Sequence, residues 1–314
     1  MQQSAKAIKQ LNRKQKDMIF YILMMAYPVI QFCIFYIGVN FNSILLAFKQ
    51  YDPGIKDFTS AGFVWVGFEN FLDVFTKFGT DSALSASLKN SFIVYIITTI
   101  VMATITIWFA YYIFKKKFAS QFFRVILFLP QVISPIVIAV MFTMMAEEVI
   151  PDLLLNVGIK IPSLFSPKYP DLAFGTSLFY SIWISFGTSI ILYNGSMSNI
   201  DPEILEAGRI DGADGFKEFI FIVFPLVYPT FSTFFITHIA GIFTNQMSLH
   251  VLYGIAAPSD LNTFGYYMFV KTQQASSFSD YPFLSAMGLM MTLVAVPTTL
   301  IVRYLMRKIG PSVD

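Results

Sequence analysis

The residue types that usually carry catalysis are scarce in this chain and scattered along it. There are two histidines, His238 and His250, and one cysteine, Cys33. A structural zinc site takes four nitrogen or sulfur ligands, which these three residues cannot supply, so no metal site is expected. A single cysteine leaves no internal disulfide. No Gly-x-x-x-x-Gly-Lys-Ser/Thr run occurs, so the chain lacks that phosphate-cradling loop. A net charge of +2 leaves no electrostatic footprint for nucleic acid. No cluster of His, Asp, Glu and Ser marks a catalytic constellation. Two kinds of polar chemistry remain. One is a set of neutral polar groups inside long apolar stretches, which suit a neutral, hydroxyl-rich solute better than an ion. The other is a polar stretch over 196–218 that contains acids and glycines.

The elements that hold these groups are set by the composition. Of the 314 residues, 56% are hydrophobic and 13% charged, where a soluble domain carries about 25% charged residues. Such a chain cannot clothe a water-facing surface. Six stretches reach the roughly 20 apolar residues that cross a bilayer: 18–46, 92–114, 122–146, 172–195, 219–246 and 282–303. The expected architecture is an all-α membrane protein, with a basic tail over 1–17, a six-span domain over 18–306 and a short C-terminal tail over 307–314. The first apolar run is longer than the core of a signal peptide and lacks a small-residue cleavage site, so it reads as a retained anchor.

Lysine and arginine set the orientation. With the N-terminus inside, 14 of the 21 basic residues fall on the inner side, among them Lys115–Lys117, Arg124, Arg209, Lys217, Arg303, Arg307 and Lys308. Both termini are then cytoplasmic. No Asp, Glu, Lys or Arg occupies a span interior; Arg124 and Arg303 stand at ends, where they can snorkel. An ion-coupled carrier ordinarily keeps a carboxylate within the membrane, and a cation channel an acidic ring or carbonyl filter. If this chain moves a solute uphill, the energy comes from another subunit. Tyr111-Tyr112 and Lys115–Lys117 read as an interfacial anchor. The 68–75 segment reads as a short amphipathic helix lying at the outer interface. Phe-Leu-Pro at 128–130 and Val-Phe-Pro at 223–225, each followed by a second proline (Pro135, Pro229), form a weak echo.

The inner loop reads Asp201-Pro202-Glu203-Ile204-Leu205-Glu206-Ala207-Gly208-Arg209-Ile210-Asp211-Gly212-Ala213-Asp214-Gly215. Asp201 is a good N-cap and Pro202 fits the first helical position. Glu203 lies in the first turn, where the helix dipole favours it. Gly212 stands where a short helix needs a residue of positive φ, and Asp214 can cap a second helix leading into the fifth span. A helix, a turn of small residues and a second helix make a surface that a partner can approach closely, which is a docking element and not a catalytic one.

This loop resembles the motif of bacterial ABC importer permeases that runs Glu-Ala-Ala, three residues, Gly, nine residues, Ile, one residue, Leu-Pro. Here Glu206-Ala207-Gly208 is followed by Gly212, Ile222, Phe224 and Pro225 at the same spacing, with Gly208 in place of the second Ala and Phe224 in place of Leu. Glycine for alanine costs a helix about 1 kcal/mol. Trp65-Val66-Gly67-Phe68-Glu69-Asn70-Phe71, Phe128-Leu129-Pro130 and Ile200-Asp201-Pro202-Glu203 also resemble segments of the carbohydrate-importer branch, which includes the maltose and glycerol-phosphate permeases.

The resemblance implies a type I importer fold in a bacterial cell membrane. It implies a heterodimer with a second homologous permease, two ATP-binding subunits that hold ATP and Mg, and an extracellular solute-binding protein that delivers a sugar. No cofactor and no enzymatic step are expected in this chain. Glu203, Glu206, Ala207, Gly208, Asp211, Gly212 and Ala213 would form the ATPase-coupling loop, and the basic tail fits the first of the two permeases. By position relative to the motif, the fourth and fifth spans would line the solute path. The candidates are Ser181, Trp183, Ser185 and Thr188 on one, and His238, Gly241 and Asn245 on the other. Ser181, Ser185 and Thr188 share a helix face. Small and hydroxyl residues also serve helix packing, and His238 also suits an interhelical hydrogen bond. A permease for a non-sugar solute and an ion-coupled secondary carrier are the alternatives; a membrane enzyme or scaffold has no catalytic cluster behind it.

Overall fold

The computed structural model describes residues 12–54 and 62–311; the expected tail residues 1–11, with Lys6 and Lys9, and residues 312–314 lie outside them. Among the described residues, five helices are long and apolar enough to cross a bilayer: Arg13–Leu46 (α1), Ser82–Phe114 (α3), Pro170–Ser198 (α6), Phe216–Ala240 (α8) and Asp280–Ile309 (α11). A sixth crossing requires the bent pair Ser120–Val132 (α4) and Pro135–Asn156 (α5) to count as one span. Shorter elements complete the chain: strands Lys49–Tyr51 (β1) and Phe63–Trp65 (β2), and helices Glu69–Thr80 (α2), Pro202–Ile210 (α7), Leu249–Tyr253 (α9) and Phe264–Gln274 (α10).

The stretch expected as one span over 122–146 is therefore broken, its halves meeting at 107°. Pro135 pushes the residue before it out of helical backbone, and Ile133 and Ser134 carry ψ angles of 145° and 130°. Pro229 produces no such break in α8; a π turn over Phe219–Val223 precedes Pro225 instead. Helix α8 stops at Ala240, short of the expected 246, with Gly241 as its C-cap.

Two compact units share the chain. The smaller comprises the described residues up to Phe71 together with Ser277–Leu289. Within it, none of the apolar window of α1 is buried. β1 pairs antiparallel with β2, Lys49 opposite Trp65. The buried Asn70 side chain donates to the carbonyls of Ala47 (2.9 Å) and Lys49 (2.7 Å). The Phe48 ring stacks on Trp65 at 5.5 Å and leans on Phe71 at 5.1 Å. Gly67 takes the positive φ of the turn between them (66°). The Trp65–Phe71 segment thus has a local reason for its glycine, its asparagine and its aromatic ends.

The larger unit comprises Leu72–Ser276 and the chain from Met290. Its main core joins Ile107 and Tyr111 of α3, Phe186, Ile190, Tyr193 and Met197 of α6, Leu205 of α7, and Phe219, Val223 and Val227 of α8. A second core gathers Val94, Leu178, Met247, Leu249, Leu261 and Tyr266. Around it, Asn90 donates to the carbonyls of Asp260 (2.7 Å) and Asn262 (3.0 Å), and the Ser91 hydroxyl accepts from the Phe264 amide at 2.8 Å. Gly265 lets α10 press on the turn that follows α8: a Cβ there would lie 2.7 Å from the Thr244 carbonyl carbon and oxygen.

Backbone atoms cannot yield as a flexible side chain can, so Gly265→Ala should destabilise by about 1–3 kcal/mol, seen as a lower thermal midpoint in detergent. Gly175→Ala is the control. It lies inside α6 with nothing within 4 Å of an added Cβ, and should be neutral or stabilising by up to about 1 kcal/mol.

Candidate functional site

The 201–215 loop folds as its local chemistry dictates. The Asp201 side chain accepts from the Glu203 amide at 3.0 Å and Pro202 opens α7. The helix closes in a Schellman turn. The Ala213 amide reaches back to the Gly208 carbonyl (2.9 Å), the Gly212 amide reaches the Arg209 carbonyl (3.0 Å), and Gly212 holds φ at +81°. The second cap differs from expectation. Gly215, at φ 56° and ψ −112°, occupies the N-cap of α8, and Asp214 stands one residue earlier with its carboxylate accepting from the Gly215 amide at 2.7 Å.

The loop has two unlike sides. Leu205 and Gly208 are buried, and a Cβ on Gly208 would run into the Cδ1 of Ile222. Glycine at this position therefore lets α7 settle on Ile222 of the same motif. Glu203, Glu206, Ala207, Asp211 and Gly212 are exposed, Ala213 is half-buried, and Ile210 is 87% exposed. An isoleucine so exposed at a helix end, amid carboxylates and small residues, suits contact with another surface.

Beneath the loop lies a polar knot that sequence reasoning missed. Glu218, in the first turn of α8, is 0% exposed. The Lys115 ammonium donates to both its oxygens, at 2.8 and 2.9 Å. The Tyr111 hydroxyl lies 3.3 Å from Oε1 and 3.0 Å from the Gly215 carbonyl, to which it donates. Arg209 Nε of α7 lies 3.5 Å from Oε2. Trp108 covers the knot, stacked on Phe216 at 5.4 Å and against Phe219 at 4.4 Å. Tyr111 and Lys115 thus make specific contacts beyond the interfacial anchoring expected of them. The only sequence signal was a glutamate just before an apolar run on the basic side of the chain.

The solute-path candidates separate. On α6, Ser181 is buried, and its carbonyl accepts from Ser185 Oγ at 2.8 Å. Trp183 packs on Phe142 and Tyr180, and Ser185 and Thr188 are exposed. His238 lines a cavity of about 20 Å³ with Thr99, Tyr193, Phe231, Phe234 and Phe235, room for about one water. Because α8 ends at Ala240, Gly241 and Asn245 do not continue its helical stripe. The Asn245 carboxamide oxygen accepts from the Met247 amide at 2.8 Å, and its backbone carbonyl accepts from Thr263 Oγ1 at 2.7 Å. These are turn-forming roles. Among the described residues, no group of three or more His, Cys, Asp and Glu side chains could hold a metal ion.

At the opposite end of α3, Asp81 caps the helix through the Ala83 (2.9 Å) and Leu84 (3.2 Å) amides and accepts from the Tyr267 hydroxyl at 3.2 Å. Burial alone would raise its pKa, but the Leu84 amide, the Tyr267 hydroxyl, the Ala83 amide and the charge of Lys271 together hold the carboxyl below its ordinary 3.8. Burial, reinforced by the Asp81 charge, pushes the Tyr267 phenol above its usual range.

A family described as binding-protein-dependent transport system inner membrane component matches residues 102–314. Over 301 residues the chain is 26% identical to the probable ABC transporter permease protein YesP of Bacillus subtilis (strain 168), a match that covers 95% of this chain and 93% of that one. It is 24% identical over 280 residues to the arabinooligosaccharides transport system permease protein AraP of the same organism, covering 87% and 84%. Among solved structures, a chain of a bacterial ABC transporter involved in the import of the acidic polysaccharide alginate superposes with a TM-score of 0.74 at 19% identity, covering 95% of this chain and 99% of that one. At that identity the likeness is one of fold.

Two outcomes follow from this geometry. Gly212→Val puts a β-branched residue at φ +81° and should cost the turn at least about 1–2 kcal/mol. Hydrogen exchange should accelerate over 201–215 while the thermal midpoint of the bundle holds. Gly208→Ala meets only the flexible tip of Ile222 and should be tolerated. For Asp81, a depressed folded pKa means that its stabilisation is complete above 3.8 and is lost as pH falls through the lower folded value. The gap in thermal midpoint between the parent chain and Asp81→Asn should therefore close only in acid below that range.

Proposed function

The chain belongs to the binding-protein-dependent transport system inner membrane component family, and on that premise we propose that it is the sugar-importing permease of a heteromeric, ATP-driven complex. Membership makes it a multi-pass membrane protein and a transport subunit of a binding-protein-dependent system. The further reading is that a second homologous permease completes the path, that two ATP-binding subunits hold ATP and Mg and supply the energy, and that a solute-binding protein delivers the solute from outside. Both termini are cytoplasmic in this reading. Residues 1–17 and 307–314 are tails flanking the 18–306 permease domain, and the 196–218 segment faces the ATP-binding subunits.

The observation that carries this reading is the two-sided 201–215 loop. One side of α7 is locked into the bundle core, and the other offers Glu203, Glu206, Ala207 and Ile210 to a partner. A loop built that way passes a rigid-body displacement from a bound partner into the helices. Glu206 can make a charge-assisted hydrogen bond there. The apolar stretches 18–46, 92–114, 122–146, 172–195, 219–246 and 282–303 hold neutral hydroxyl and amide groups and no carboxylate, which supports a neutral carbohydrate moved by energy from another subunit. The relatives described above, an arabinooligosaccharide permease among them, favour an oligosaccharide.

The decisive experiment is a mild-detergent pull-down of this chain from its native membrane, with mass spectrometry of what accompanies it. A second six-span permease and an ATP-binding subunit are expected; recovery of the chain alone, or only as a homo-oligomer, overturns the heteromeric importer. Gly212→Val should reduce recovery of the ATP-binding subunit with the permease still folded. Ser185→Leu should lower oligosaccharide import by about tenfold, the order of one lost hydrogen bond of about 1.4 kcal/mol, with assembly intact. Unchanged import removes Ser185 from the path.

A further inference from the structure

We infer that Glu218 is a positioning residue, the joint through which the docking helix α7 moves as one body with α3; the inference rests on the reading of the 201–215 loop as the partner-docking element. A loop that docks a motor is useful only if its displacement reaches the helices, and the obvious route is its covalent continuation into α8. The knot at Glu218 adds a second route. Its carboxylate sits on α8, yet its bonds run to Lys115 and Tyr111 on α3 and to Arg209 on α7. The Tyr111 hydroxyl also takes hold of the turn itself, at the Gly215 carbonyl.

The directions of these bonds matter. Lys115 caps the end of α3, so the joint grips that helix at its tip, where a displacement moves the whole rod instead of bending it. Helix α3 runs for 33 residues, roughly 50 Å at about 1.5 Å per residue. Near its other end, Asn90 and Ser91 hold the carbonyls of Asp260 and Asn262 and the amide of Phe264. One helix therefore carries direct polar bonds to the docking turn at one end and to the 260–264 segment at the other. Leu205 and Phe219 share the core under the joint, so the apolar contacts keep α7 in place, while the directional bonds of Glu218 fix its register against α3. A buried carboxylate whose oxygens face three different donors has one arrangement that satisfies all of them, which is the property a rigid joint needs.

The test uses the assembled complex isolated from native membranes through a tag on this chain, in a Cys33→Ala background. Spin labels at Ile204 on α7 and Phe118 beyond α3, both exposed, report the separation of the two bodies with and without ATP plus vanadate. In the parent complex the separation should stay the same in both states. Glu218→Gln should keep the ATP-binding subunit bound and ATP hydrolysis running, yet let the separation shift by about 1–2 Å between the states, the scale of helix shifts in switching transitions. Arg209→Gln, which leaves the Lys115–Glu218 pair intact at a position whose side chain is 53% exposed, should give a smaller shift and covers the case in which Glu218→Gln fails to fold. A Glu218→Gln or Arg209→Gln complex as rigid as the parent overturns the joint, as does a parent complex whose own separation changes with nucleotide. A parent preparation with no ATP-binding subunit overturns the importer reading beneath it, a result distinct from either.

Discussion

A carboxylate with no exposed surface has to be satisfied by the protein, and much of one end of this bundle is arranged around doing so for Glu218. Removing one partner from a buried ion pair typically costs 3–5 kcal/mol, so Lys115, Tyr111 and Glu218 constrain one another's backbones strongly. The knot ties the end of α3 to the first turn of α8 and to the Gly215 carbonyl of the 201–215 turn. Tyr111 shows the economy of the arrangement: a ring in the apolar core with its hydroxyl on both the Gly215 carbonyl and the carboxylate. The loop above can then be built of small residues and an exposed isoleucine, because its position is fixed from below.

The rest of the molecule follows from the solvent it lives in. With backbone groups paired along helices, as hydrocarbon demands, the interior offers only side chains as chemistry, and the charged ones stand toward the ends of the crossing helices, among them Lys89 in α3, Glu147 and Glu148 in α5 and Glu218 in α8. The parts built with charge, the Glu218 knot and the Asp81–Tyr267–Lys271 cluster, lie at the two ends of α3.

What could be read in advance was what is local. Asp201, Pro202 and Gly212 announce a capped helix and its left-handed close because each acts on backbone within three residues of itself. The helix in the 68–75 segment is legible from its amphipathic pattern, although it runs over Glu69–Thr80. What could not be read was pairing at distance. Nothing in the pattern around Lys115 tells that its partner lies 103 residues on, and a run of three lysines beside two tyrosines looks like an interfacial anchor whether or not one of them turns inward. The break at Ile133–Ser134 was available from Pro135, but prolines are tolerated in membrane helices, and Pro229 sits in one without breaking it. The early end of α8 had a signal in Gly241; an apolar stretch running past it through Ile242 and Phe243 hid it, and with it the structural duty of Asn245.

The contact at Gly187 has a consequence for how this sequence can change over time. A Cβ there would overlap the Leu127 carbonyl oxygen and sit 3.1 Å from the Leu127 carbonyl carbon and the Phe128 Cα, so α4 and α6 touch backbone to backbone. Two helices that close leave no side chain that can shrink to compensate. Every alternative residue at this position demands a rigid separation of the pair, which would also pull the Gln131 carboxamide from the Ile184 carbonyl it holds. Drift elsewhere on these two helices can proceed one substitution at a time, whereas position 187 admits none without a concerted change in its neighbours, and a lineage that left glycine there would have to rebuild the contact before it could lose it.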